Sequence, residues 1–242
     1  MKSIKIYALA LGLLAVFAGC QNDVVKPLEN DKEAPAPVRD VTYTKMSGSV
    51  LLTYTLPSDP DLLYVAASYT NKAGKKYEFK ASYFTNTLLV EGFGDTDTYS
   101  LDVYAVDRSE NYSEPVNIQV AADTPPVQAA YETLEVQPDF GGMTFSFDNA
   151  SKADLTVYVS TPNADNEMVN AETFYTGLAK ATFSVRGFLD VPRDFEICFE
   201  DKWGNRSPVK KENLTPIYEA ELDKKKFKEV ILPGHCPCTF YE

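Results

Sequence analysis

The sequence predicts an all-β protein of two tandem β-sandwiches, and three observations carry the prediction. The first is an internal repeat: Tyr99 to Ser113 (YSLDVYAVDRSENYS) runs from an alternating apolar strand into a polar turn, and Phe195 to Ser207 (FEICFEDKWGNRS) does the same. Asp107, Asn111 and Ser113 return as Asp201, Asn205 and Ser207, 94 positions later, while Val90, Gly92 and Phe93 return as Val185, Gly187 and Phe188, and Asp61-Leu62 as Asp154-Leu155. A period of roughly ninety to a hundred residues is too long for a solenoid and suits one immunoglobulin-like sandwich per copy. The second is composition: 15 Tyr, 14 Phe and 15 Pro in 242 residues, with little helical apolar spacing, favour strands. The third is period-two alternation in the segments between turns.

From the N-terminus, Lys2 and Lys5 precede an apolar run from Ile6 to Phe17 that is too short for a stable membrane span, so residues 1–19 read as a secretory signal. Phe17-Ala18-Gly19-Cys20 resembles the bacterial lipobox, which makes Cys20 the lipidated first residue of the mature chain. Residues 20–35 are polar and proline-spaced and cannot bury enough to order themselves, so they form a tether. Asp23, just after the cysteine, resembles the signal that sends lipoproteins of Bacteroidetes-type bacteria to the outer cell surface.

The first sandwich spans 36–122. Val38 to Tyr43 opens as an edge strand, and Ser49 to Leu56 follows with Val50, Leu52, Tyr54 and Leu56 on one face. Pro57-Ser-Asp-Pro60-Asp61 breaks the ladder, since proline lacks the donor. A strand from Leu62 to Tyr69 turns at Asn71 to Gly74 and returns through Tyr77 and Phe79. This order of signals, ending on Tyr99-x-Leu-x-Val-x-Ala105, resembles a fibronectin type III module. The resemblance puts Tyr54 where the family has a core tryptophan and makes Tyr99 the tyrosine-corner residue.

Asp123-Thr-Pro125-Pro126 marks the boundary, read as an extended, stiff connection. In the second sandwich, 127–212, Met143, Phe145 and Phe147 share a face, as do Leu155, Val157 and Val159; Phe195, Ile197 and Phe199 line the core, with Cys198 opposite. Val157 to Pro162, Ala171 to Tyr175, Ser184 to Phe188, Asp201 to Ser207 and Leu214-Thr-Pro216 resemble the sandwich pair of surface lipoproteins from polysaccharide-utilisation loci. That resemblance implies an outer-membrane, outward-facing protein beside a glycan importer, with oligosaccharide or polysaccharide as partner. Residues 213–242 read as a linker or the start of a third domain, and the family's usual C-terminal discoidin-like domain is expected to be missing.

The net charge of −12 disfavours nucleic acid and charge-driven membrane binding, leaving the lipid anchor as the membrane contact. His235, Cys236 and Cys238 supply three donors within four positions and no other histidine exists to complete a tetrahedral site, so no metal or other cofactor is expected. Cys198, Cys236 and Cys238 leave a disulfide and free thiols both open. No nucleophile elbow or phosphate-cradling loop occurs, so the chain is not expected to be an enzyme. Sugar recognition needs an aromatic face beside amides and charged groups. Trp203, the one tryptophan, falls in a polar turn where the first copy has Ser109, with Asn205 and Arg206 beside it; Tyr112 occupies the matching loop. Asn111 and Asn205 are expected to take left-handed turn positions. The function expected is non-catalytic glycan binding at the cell surface. The alternative is a spacer or interaction module that positions another outer-membrane component.

Overall fold

The computed structural model describes residues 31–220 and 224–226. The signal peptide, Cys20, Asp23 and the His235-Cys236-Pro237-Cys238 run lie outside the described residues. No helix among the described residues is long and apolar enough to cross a membrane.

Among the described residues, fourteen strands follow in chain order: β1 Arg39–Met46, β2 Ser49–Thr55, β3 Leu62–Thr70, β4 Lys76–Ser82, β5 Thr87–Glu91, β6 Thr98–Asp107, β7 Val116–Ala121, β8 Glu135–Asp139, β9 Gly142–Asp148, β10 Leu155–Pro162, β11 Met168–Thr176, β12 Lys180–Arg186, β13 Arg193–Asp201 and β14 Lys210–Leu214. They form four sheets, ordered β1-β2-β5, β4-β3-β6-β7, β12-β9-β8 and β11-β10-β13-β14. Adding seven to each strand number of the first pair of sheets gives the second pair, so the repeat in sequence is a repeat in topology. Each pair is a three-on-four sandwich.

The alternation sets the cores. In β2, Val50, Leu52 and Tyr54 are buried; in β9, Met143, Phe145 and Phe147; in β13, Phe195, Ile197 and Phe199. Phe147 meets Phe199 edge-to-face at 4.7 Å, and Phe145 meets Phe174 at 5.6 Å. Each buried phenylalanine contributes about 1.5–3 kcal/mol of hydrophobic stabilisation. Tyr99 is buried and packs edge-on against Tyr69 at 5.7 Å. Gly142 is required by close approach, since a Cβ there would lie 1.8 Å from the Val185 carbonyl oxygen of the paired strand.

The boundary differs from the extended connection expected. Pro125 is extended (φ −61°, ψ 150°), but Pro126 begins a helix, α1 Pro126–Glu132, because proline's fixed φ and missing N–H suit the first helical turn. Val127 and Ala130 from α1 join the second core. The tail also differs from a plain linker at its start: Ile217 N–H donates to Asp139 and Gly141 N–H donates to Ile217, both at 2.9 Å.

The chain divides into two compact units. The first comprises the described chain up to Thr44, with Leu51–Val90 and Tyr99–Val120; the second comprises Lys45–Val50, Glu91–Thr98 and the described chain from Ala121 onward.

Candidate functional site

The repeated loop is built around one carboxylate. In the second unit, Asp201 Oδ1 accepts from the backbone N–H groups of Trp203 and Asn205, each at 2.9 Å, and Oδ2 accepts from the Asn205 side-chain amide at 2.9 Å. In the first unit, Asp107 Oδ1 accepts from Ser109 and Asn111 N–H at 2.8 Å, and Oδ2 from the Asn111 amide at 2.9 Å. Ser113 and Ser207 complete each loop by accepting from Ala105 and Phe199 N–H, both at 3.0 Å. The Asp-x-x-x-Asn-x-Ser spacing is therefore a rigid loop device. The left-handed residue is not the asparagine, as expected, but the one before it: Glu110 (φ 63°) and Gly204 (φ 85°). The asparagines are conserved in the repeat for their side-chain amide, which ties the loop to the aspartate.

This device positions Trp203. The indole is half-buried, and the Lys202 ammonium lies 5.1 Å from its ring centroid while pairing with Glu91, of the same unit, at 3.2 Å. Beside Lys202 opens a cleft of about 400 Å³ lined by Asp154, Leu155, Thr156, Tyr175, Thr176, Gly177 and Lys202. Tyr175 is 77% exposed. It was not singled out from the sequence, because β11 reaches this cleft only through the Thr156–Tyr175 pairing of β10 with β11. The Asp154-Leu155 repeat was the one local signal pointing there.

The other predicted residues fall elsewhere. Asn205 donates to Asp201 and to the Gly92 carbonyl at 3.2 Å, so its amide is committed within the second unit. Arg206 pairs with Glu200 and lies over the Tyr158 ring at 5.5 Å; the Glu200 hydrogen bond raises its pKa. Tyr112 is 44% exposed and sits on the first unit's sheet with Tyr64 and Tyr104, so Trp203 and Tyr112 mark different places.

Among the described residues, one group has the donors for a metal ion: Asp31, Asp61 and Asp107 place carboxylate oxygens within 4.8 Å of one another. Asp61 is pushed up to about 6, first by a hydrogen bond with Asp59, then by burial and the charges of Asp59, Asp31 and Asp107. Cys198 is a free thiol on the outer face of β13.

Topology and loops define a tandem fibronectin type III-like protein. Residues 35–122 match the family described as a domain of unknown function, DUF4959, and residues 123–225 match another, DUF5126. Among solved structures, the chain is similar to SusE-like protein BT2857, at 34% identity over 41% of this chain and 34% of that one, with a TM-score of 0.35; it spans about a third of that protein's length. It is similar to a two-domain fibronectin type III segment of chicken tenascin at 15% identity, covering 74% of this chain and 99% of that one, TM-score 0.35. The FN1-FN3 domains of chicken CNTN1 match at 11% identity over 76% and 68% of the two chains, TM-score 0.34. No curated protein matches the chain.

Proposed function

We propose that this chain is a non-catalytic, lipid-anchored cell-surface protein that binds glycan for an outer-membrane polysaccharide-uptake system. The observation that carries the reading is the open cleft beside Lys202, whose ammonium lies 5.1 Å from the Trp203 ring centroid; there an exposed Tyr175 ring stands among Thr156, Thr176, Asp154 and Lys202. Apolar sugar faces stack on such a ring while the surrounding groups take the hydroxyls. The lipid anchor rests on the Cys20 lipobox resemblance, and the importer complex is the partner implied by the resemblance to surface lipoproteins of polysaccharide-utilisation loci.

Affinity electrophoresis of the full chain against neutral and acidic polysaccharides tests binding: retardation by a glycan, weakened in Tyr175→Ala and Trp203→Ala, supports the reading. Cys20→Ala is expected to leave the membrane fraction; if it still pellets with membranes, the anchor assignment fails. The spacer reading has its own supporting observation, that the Asn205 amide and the Arg206 guanidinium are taken up by neighbouring protein groups. Retardation by no glycan would favour it.

A further inference from the structure

Along β3, Val65, Ala67 and Tyr69 point into the first core, so Tyr64, Ala66 and Ser68 share the outer face of the β4-β3-β6-β7 sheet. Strand register lays that face out in three rows: Ser82, Tyr64, Val106 and Tyr112; Lys80, Ala66 and Tyr104; Glu78, Ser68 and Asp102. On a solvent-facing sheet the middle positions should be open, yet Ala66 is 1%, Ser68 6% and Val106 0% exposed. The longer side chains fold over them. The hydroxyls of Tyr64 and Tyr112, the two neighbours of Val106, meet at 3.3 Å. Tyr104 packs edge-on to Tyr112, with centroids 5.7 Å apart and planes at 78°. The Lys80 ammonium lies 4.7 Å over the Tyr64 ring and pairs with Glu78 at 3.1 Å. Further along, the Asn117 amide donates to Ser100 and Asp102 at 2.7 and 2.8 Å.

We propose that this face is a second glycan-contact site, taking a neutral saccharide that stacks on Tyr112 and hydrogen-bonds to the Tyr64 hydroxyl, Lys80 and the Asn117–Asp102 pair. Three features favour that ligand. Tyr112 is 44% exposed but held by two other tyrosines, so stacking on it immobilises little that was free. Lys80 is matched by Glu78 and the chain carries −12 overall, so the complementary ligand is uncharged rather than anionic. A proline-rich peptide would need ring faces lining a groove, whereas planes at 78° offer one face and one edge. Nor does the framework demand the rings: at the repeat positions of Tyr104 and Tyr112 the second copy has Cys198 and Arg206.

Because this assignment rests on the glycan reading above, the test separates the two. The full chain is run through gels containing soluble arabinoxylan, galactomannan, mixed-linkage β-glucan or polygalacturonate, alongside Tyr112→Ala, Tyr112→Arg and Trp203→Ala, with melting checked for each. Tyr112→Arg installs the residue that the second copy tolerates, which guards against misfolding of the alanine variant. Loss of a stacking ring is worth about 1.4 kcal/mol or roughly tenfold in affinity, so both Tyr112 variants should weaken retardation by a neutral glycan about tenfold. Retardation unchanged in folded Tyr112 variants but lost in Trp203→Ala overturns this site and leaves the glycan reading standing. No retardation of the unaltered chain by any of the four overturns both, and retardation by polygalacturonate alone overturns the neutral-ligand assignment.

Discussion

The side-chain amide of Asn111 donates a 2.9 Å hydrogen bond to the Asp107 carboxylate, closing a loop whose aspartate also accepts two backbone N–H groups. Asp201 and Asn205 repeat the arrangement contact for contact. The two loops differ in what surrounds the charge: Asp107 is 0% exposed and lies near Asp31 and Asp61, and among the described residues Asp201 belongs to no such acidic group.

That difference predicts unequal costs for one substitution. An asparagine at either position turns an NH₂ group toward the partner asparagine's own NH₂ and gives up charge-assisted bonds, each worth about 1.5–3 kcal/mol. Asp201→Asn should therefore lose about 2 kcal/mol in urea unfolding. Asp107→Asn should lose less, because removing its charge also relieves Asp31 and Asp61. A larger loss at Asp107 than at Asp201 would show that acidic repulsion is not a significant part of the first loop's energetics.

Glu110 and Gly204 occupy the same left-handed position, at φ 63° and 85°. A side chain costs about 1–2 kcal/mol there, partly offset by glycine's greater unfolded-state freedom. Glu110→Gly is expected to stabilise the chain by roughly 0.5–1 kcal/mol. Gly204→Ala, where an added Cβ meets nothing within 4 Å, should destabilise it by about 1 kcal/mol through backbone strain alone. Thermal melting of both variants decides it; shifts of the same sign would contradict the assignment.

The repeat was legible because it is local: alternation in β2, β9, β10 and β13 and the Asp-x-x-x-Asn-x-Ser spacing each depend on residues a few positions apart. What was not legible depends on register. Tyr64, Tyr104 and Tyr112 become neighbours only once β3, β6 and the loop after β6 are aligned, and Tyr175 reaches the cleft by pairing with Thr156. Pro125-Pro126 was ambiguous for a different reason, since the conformation that extends a chain at one proline also suits the first turn of a helix at the next.

Tyr54 and Tyr112 should resist alkaline ionisation most strongly, and burial with the Asp102 charge raises Tyr104 as well. Burial pushes Tyr54 up to about 12, and the Tyr64 hydrogen bond, with burial, pushes Tyr112 up to about 12, against an ordinary value of 10.0. A folded-state value above the unfolded one means a stabilisation fully present below pH 10 and lost as pH rises toward 12. Absorbance at about 295 nm, where phenolate absorbs, should show a late step coinciding with a falling melting temperature. Tyr54→Phe and Tyr112→Phe should each diminish that step, and a titration complete by pH 11 would contradict both assignments.

Asp61 gives the opposite end of the pH scale its own signature. Its folded value of about 6 stands above the ordinary 3.8, the Asp59 hydrogen bond being the largest cause. Below pH 3.8 the carboxyl is protonated in both states; between 3.8 and about 6 the unfolded chain releases a proton that the folded chain keeps. Stability from this group therefore falls with rising pH across that window, and above it the repulsion from Asp59, Asp31 and Asp107 is fully present. Asp61→Asn cannot ionise, so its melting temperature should exceed that of the unaltered chain at pH 7, with the gap closing as pH falls toward 4. Subtracting the two curves removes the contribution of carboxylates remote from this cluster and leaves that of Asp61 with its coupled neighbours Asp59, Asp31 and Asp107. A gap that stayed constant, or widened on acidification, would mean that Asp61 titrates as an ordinary surface aspartate and that Asp31 is not held against it.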